Sequence, residues 1–188
     1  MSEGSWETVR RVITAQTKDG KNVFAVDEEV LPLVADGSNR VRGQQLWQIW
    51  GADGIPQLPD DATGSYANTL FAPAGGYRIQ ICEFPAESGS TLTPRGTWPP
   101  LGTMLGRTDT GAVSDEFGDM NDRVMHFTES VDIIIVLEGS VGVVLEDGAQ
   151  VTLGKGDVLV QNGATHSWRK GPEPCRIAMI ALGAERHA

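Results

Sequence analysis

His126 and His166 are two of the three histidines in this 188-residue chain. Imidazole is the side chain best suited to hold a divalent ion or to move protons near neutral pH. Between the two histidines lie Ile133 to Leu137, Val141 to Leu145 and Val158 to Val160, short β-branched runs bounded by Gly or Asp. Such runs read as strands, so the two histidines bracket one compact antiparallel β-unit. Asp132 could join them only if the chain reverses near Glu129-Ser130, because a straight strand would hold it about 20 Å from His126. A second reading needs no ion. An interior histidine is often hydrogen-bonded to nearby hydroxyls or carboxylates, and Thr128, Ser130 and Asp132 supply them.

Parity adds neighbours to this pair. Gln161 shares the parity of Leu159 and faces the interior beside His166 if the strand is regular. It is a candidate further ligand or substrate-orienting amide. Trp168 follows His166 at the same parity, as pocket wall or as plain core. Ile134 and Val136 are apolar walls of the same interior. Glu138, just before a glycine, reads as solvated, and Arg169 and Arg176 as surface charges. Cys82 and Cys175 sit in apolar runs, far from a second Cys or His, and read as buried reduced thiols rather than a disulfide or ligands.

The elements that must position these residues follow from turn chemistry and alternation. Gly139-Ser140 and Asp147-Gly148 stand where hairpin turns fall. Val9 to Ala15 and Asn22 to Val26 flank Lys18-Asp19-Gly20-Lys21, a hairpin signal, and Pro32 favours a continued extended arm over a helical turn. Leu46 to Trp50 and Tyr77 to Phe84 alternate as strands, residues 53–68 read as loop, and Cys175 to Leu182 is the last strand, followed by a tail. Residues 86–123 are rich in Pro and Gly without periodicity. Trp98, Leu101, Met104 and Leu105 within them suit a loop packed over an apolar opening, a surface excursion being the alternative.

Composition narrows the function. A formal net charge of −10 lacks the basic face that nucleic acid or anionic lipid requires. No apolar run approaches the roughly 20 residues of a membrane span, and the N-terminus lacks the blocks of a signal peptide. A cytoplasmic location is therefore expected. With 40% hydrophobic residues, one domain spanning 1–188 can build a sizeable core.

The stretch from 124 to 182 resembles the cupins. Their first motif has two histidines one residue apart, then Glu, then a closing Gly; here His126, Thr128, Asp132 and Gly139 take those positions. In the second motif Gly156, Gly163 and His166 match, while Lys155 and Lys170 replace Pro and Asn. The resemblance implies an all-β fold, a double-stranded β-helix (jelly-roll) barrel, with 1–85 as N-terminal strands and extension and 124–182 as the core motifs. It implies the chain reversal that gathers His126, Asp132 and His166 into a three-ligand metal site, iron first, with nickel, manganese or zinc as alternatives. Thr128 would then bond substrate or a bound water, with Trp168, Ile134, Val136 and Trp98 lining the pocket and His166, Asp132 and Gln161 acting in catalysis. The implied activity is a metal-dependent enzyme on a small aromatic or enol/keto compound, with dioxygenase-type oxidation first. Metal-assisted or metal-free decarboxylation, isomerisation or lyase chemistry on a small carbonyl compound is the alternative, and a non-catalytic small-molecule binder a further one. A homodimer, paired through the N-terminal extension, is also expected from the resemblance.

Overall fold

A computed structural model describes residues 8–32, 45–62, 71–87 and 125–187. Trp98 and nearly all of the expected loop over the barrel mouth lie outside them. The strands are β1 (Val9–Gln16), β2 (Asn22–Val30), β3 (Gln45–Ala52), β4 (Tyr77–Phe84) and β5 (Ser130–Glu138), then β6 (Ser140–Leu145), β7 (Gln150–Gly154), β8 (Val158–Asn162), β9 (His166–Lys170) and β10 (Cys175–Gly183). They form a five-stranded sheet ordered β3-β4-β10-β5-β8, a three-stranded sheet ordered β7-β6-β9, and the separate hairpin β1-β2. Every pairing is antiparallel. Among the described residues no helix is long and apolar enough to cross a membrane.

Period-two burial sets which side chains point inward. In β5, Ser130, Asp132, Ile134 and Val136 are buried while Val131, Ile133, Ile135 and Leu137 are half-exposed. The core lies between the two sheets. Phe84, Ile134, Val136, Cys175 and Ile177 from one pack with Val141, Val143 and Leu153 from the other.

Two expectations change here. The turn at Gly139-Ser140 is a corner between sheets, because β5 pairs with β10 and β8 whereas β6 pairs with β7 and β9. Gly139 has φ 70°, and a Cβ there would lie 2.1 Å from the Pro174 carbonyl oxygen, so only glycine turns this corner. Asp147-Gly148 is the hairpin, joining β6 to β7. Arg176, read as a surface charge, is instead buried. Its Nε donates to Glu83 at 2.7 Å and its Nη1 to Glu138 at 2.7 Å, fastening β4, β10 and β5 across one face. Single-residue parity could not find this, since the three partners come from distant parts of the chain.

Candidate functional site

His126 precedes β5 and reaches β9 through an isolated bridge. The amide of each histidine donates to the other's carbonyl at 2.9 Å. Two residues so paired turn their side chains to the same side of the sheet, and the imidazole centroids are 4.4 Å apart. The two rings expected to share a site are thus brought together.

Ala164 fixes what these groups offer. Its carbonyl oxygen can only accept, and it receives His166 Nδ1 at 2.9 Å and Gln161 Nε2 at 2.7 Å. Nδ1 therefore carries the proton, and Nε2 keeps its lone pair. Gln161 is anchored through its amino end, which leaves Oε1 as its other functional atom. Burial, then the neighbouring His126, lowers the His166 pKa to about 4, against the opposing Ala164 bond. The ring is neutral at neutral pH, the form a metal requires.

Asp132 is arranged differently. Thr128 Oγ1 donates to Oδ2 at 3.1 Å and Ser130 Oγ to Oδ1 at 2.6 Å. Burial raises its pKa, against the lowering by those two hydroxyls and by His126. Among the described residues no three His, Cys, Asp or Glu side chains are grouped to hold an ion. Both Asp132 oxygens accept from hydroxyls at the strand entry, while His126 is near enough to lower its pKa. Thr128, expected on substrate, serves Asp132. The nitrogen and oxygen donors that would serve a divalent ion here are His166 Nε2, the adjacent His126 ring and Gln161 Oε1. The carbonyl anchor on Nδ1 is the support that metal-binding histidines require.

The remaining wall is aromatic and aliphatic. Trp168 meets His166 edge-on at 5.7 Å and Phe84 at 5.4 Å between centroids. Ile134 and Val136 are each 1% exposed and belong to the packed core rather than to an open wall. Burial pushes the Cys82 thiol up to about 12 and that of Cys175 to about 11, so neither is a nucleophile near neutral pH.

Arg186, in what the sequence presents as a plain tail, belongs to the site's support. Its guanidinium lies 4.2 Å from the Phe127 ring centroid and donates to the Gly163 carbonyl at 2.7 Å. It thereby ties the segment carrying His126 to the loop before His166. Nothing in its composition signals this; only the approach of the C-terminal strand end does.

No protein-family model matches the chain. It is 38% identical over 95 residues to phomopsin biosynthesis cluster protein D of Diaporthe leptostromiformis, covering 50% of this chain and 47% of that protein. It is 37% identical over 66 residues to oryzines biosynthesis cluster protein J of Aspergillus oryzae, covering 34% and 37%. The first match thus spans about half the length of that relative. Among solved structures, a putative ethanolamine utilization protein Q of Salmonella typhimurium is similar with a TM-score of 0.45 at 12% identity, covering 95% of this chain and 98% of that one. The polyketide cyclase RemF of Streptomyces resistomycificus is similar with a TM-score of 0.42 at 18% identity, covering 81% and 72%. Two facing antiparallel sheets, a corner glycine at the end of the first motif, and the motif histidines brought side by side on the inner surface make this chain's fold that of the cupins.

Proposed function

We propose that the chain is an enzyme that moves a proton on a small enolisable carbonyl compound, an isomerase, lyase or decarboxylase type of reaction assisted by a divalent ion. The observation that carries this reading is the division of labour around Ala164. His166 presents Nε2 and Gln161 presents Oε1, with the His126 ring 4.4 Å from that of His166, and the buried Asp132 carboxylate accepts from two hydroxyls. The ion would supply Lewis-acid polarisation of a carbonyl oxygen. Asp132, with its raised pKa, takes the proton from the adjacent carbon as the C–H electron pair moves toward that oxygen. Returning the proton to another carbon gives isomerisation; loss of a leaving group gives a lyase product. Trp168 and the core beyond it exclude water from the apolar side. The names of the relatives, which belong to biosynthesis clusters, agree with a tailoring step on a small molecule.

Dioxygenase-type oxidation is less favoured, because the facial triad typical of it uses an ionised carboxylate and burial raises the pKa of Asp132. The test is deuterium incorporation at the central carbon of acetylacetone in D2O, followed by NMR with iron-, nickel-, manganese- or zinc-loaded protein and with chelator-treated protein. Exchange above the buffer rate that falls in Asp132→Asn and His166→Ala is expected. Oxygen uptake matched to substrate loss would replace this reading with the oxidative one.

A further inference from the structure

Across the five-stranded sheet the registers set two inward rows side by side. One runs Gln161, Asp132, Ala181, Arg78; the next runs Leu159, Ile134, Met179, Gln80, Gln48. Arg78 and Gln80 share the face of Phe84, which packs on Trp168, so they point into the barrel. The second row is apolar in β8, β5 and β10 and then ends in two amides. Gln80 is fully buried and Gln48 is 8% exposed. Neither amide is explained by packing, where residues of this size are ordinarily aliphatic.

Gln80 Nε2 donates to Gln48 Oε1 at 2.8 Å. That bond uses the acceptor of Gln48 and orients its amide, and Gln48 Nε2 is then buried with no hydrogen-bond partner among the described residues. A buried donor left unmet is unfavourable by about 1–3 kcal/mol. Gly51 keeps space beside it. A Cβ at residue 51 would lie 2.9 Å from Arg78 Cδ and 3.4 Å from Gln48 Nε2. The Arg78 guanidinium, bound to the Ala52 and Tyr77 carbonyls and to Asp53, adds a buried positive charge on the adjacent row.

We propose that Gln48 is a substrate-recognition residue, its Nε2 donating to a second oxygen of the ligand on the inner face of the barrel, with Gln80 as the positioning residue that aims it. This rests on the reading of the site as one for small carbonyl compounds and narrows the class. The ligand carries two oxygen acceptors, as a dicarbonyl or a keto acid does, one for the histidine end and one for Gln48. The cavity of about 370 Å³ between β1, β3 and residues 56–60 is a different feature, lined by Trp50 and Tyr77 on the outer face of the same sheet.

The experiment is calorimetric titration of the full chain with acetylacetone, for the parent protein, Gln48→Met and His166→Asn, with thermal melting of each. Methionine keeps the length of the side chain and removes the unmet donor together with the acceptor that Gln80 Nε2 uses, exchanging one unmet buried donor for another. Gln48→Met should therefore melt close to the parent while binding acetylacetone at least tenfold more weakly. Gln48→Leu serves as the second variant and should behave alike. Parent-level affinity in both variants would overturn the assignment of Gln48 and leave the carbonyl reading standing. A lower melting temperature with unchanged affinity would likewise overturn it, making the amide a structural donor. Absence of binding by the parent protein, together with absence of exchange at any metal loading, would overturn both.

Discussion

Gln161 and His166 hydrogen-bond to one and the same carbonyl oxygen, that of Ala164, at 2.7 and 2.9 Å. A carbonyl cannot donate, so this one atom decides both the tautomer of the imidazole and the direction of the amide. The residue between β8 and β9 thereby determines which atoms the site presents. Gln161→Leu should remove the proposed ligand oxygen and one hydrogen bond. We expect metal affinity to fall at least tenfold and stability by about 1 kcal/mol, read by metal analysis after dialysis and by urea denaturation. Undiminished metal affinity in this variant would place the ion, if one binds, on the histidines without Gln161.

The depressed pKa of His166 makes a pH prediction for the metal-free protein. Its folded value of about 4 lies below the unfolded value of 6.5, so between these the unfolded chain binds more protons. The stabilisation is complete above pH 6.5 and is lost as pH falls toward 4, by about 3 kcal/mol for this single group. Asp132 acts in the opposite direction. Its raised pKa favours the protonated carboxyl in the fold, a contribution lost as pH rises from 3.8 through the folded value. His166→Asn keeps a donor for the Ala164 carbonyl and takes up no proton. Its urea midpoint should therefore lack the His166-linked fall, so that between pH 6.5 and 5 the parent loses stability relative to the variant. Parallel curves would show that His166 does not titrate as its burial implies.

How much was legible in the sequence follows from the range over which each signal acts. Period-two alternation is local, so β3, β4 and β10 and the inward facing of Gln161 could be read directly, whereas Asp132 and His166 were placed by the motif resemblance. Gly139 carried the same turn signal as Gly148, yet one makes a corner and the other a hairpin. The difference is which strand waits across the gap, and no short window contains it. Asp132 was legible as a site residue, but not the bonds from Thr128 and Ser130 to its two oxygens, which depend on how the chain enters β5. Arg186 and Ala164 were not legible at all. One acts through its guanidinium from the chain's far end, the other through a backbone oxygen that every residue type possesses.

Arg176 shows the same limit and gives a stability prediction. It stands opposite both Glu83 and Glu138, and the first of these carboxylates has a side chain only 10% exposed. Removing the guanidinium strands a buried carboxylate, a change that typically destabilises by about 3–5 kcal/mol. Arg176→Ala should approach that loss in denaturant. In Arg176→Ala combined with Glu83→Gln much of the loss should return, since no buried charge is then left unpaired. Strict additivity of the two changes would mean that the pair is not coupled.

The hairpin β1-β2 is the element least accounted for by the barrel. Arg11 ties it to β3 through the Ile49 carbonyl at 2.8 Å, and the Gln16 amide donates to the Asp60 carbonyl at 3.1 Å. Its outer face carries Arg10 paired to Asp27, with Val12 46% and Phe24 79% exposed. Two strands alone leave open edges that invite pairing, and an isologous contact would cover both copies of the apolar patch at once. We expect the chain to be a homodimer in which this face meets its counterpart. Phe24→Asp would place a charge at the contact without touching the core. Light scattering at micromolar concentration should give twice the chain mass for the parent and a single-chain mass for the variant, with acetylacetone exchange unchanged. A parent protein of single-chain mass would dispose of the dimer. A variant that remains dimeric would move the contact to another face, with the outer side of β8, where Val158 and Val160 are each more than half exposed, the next to test.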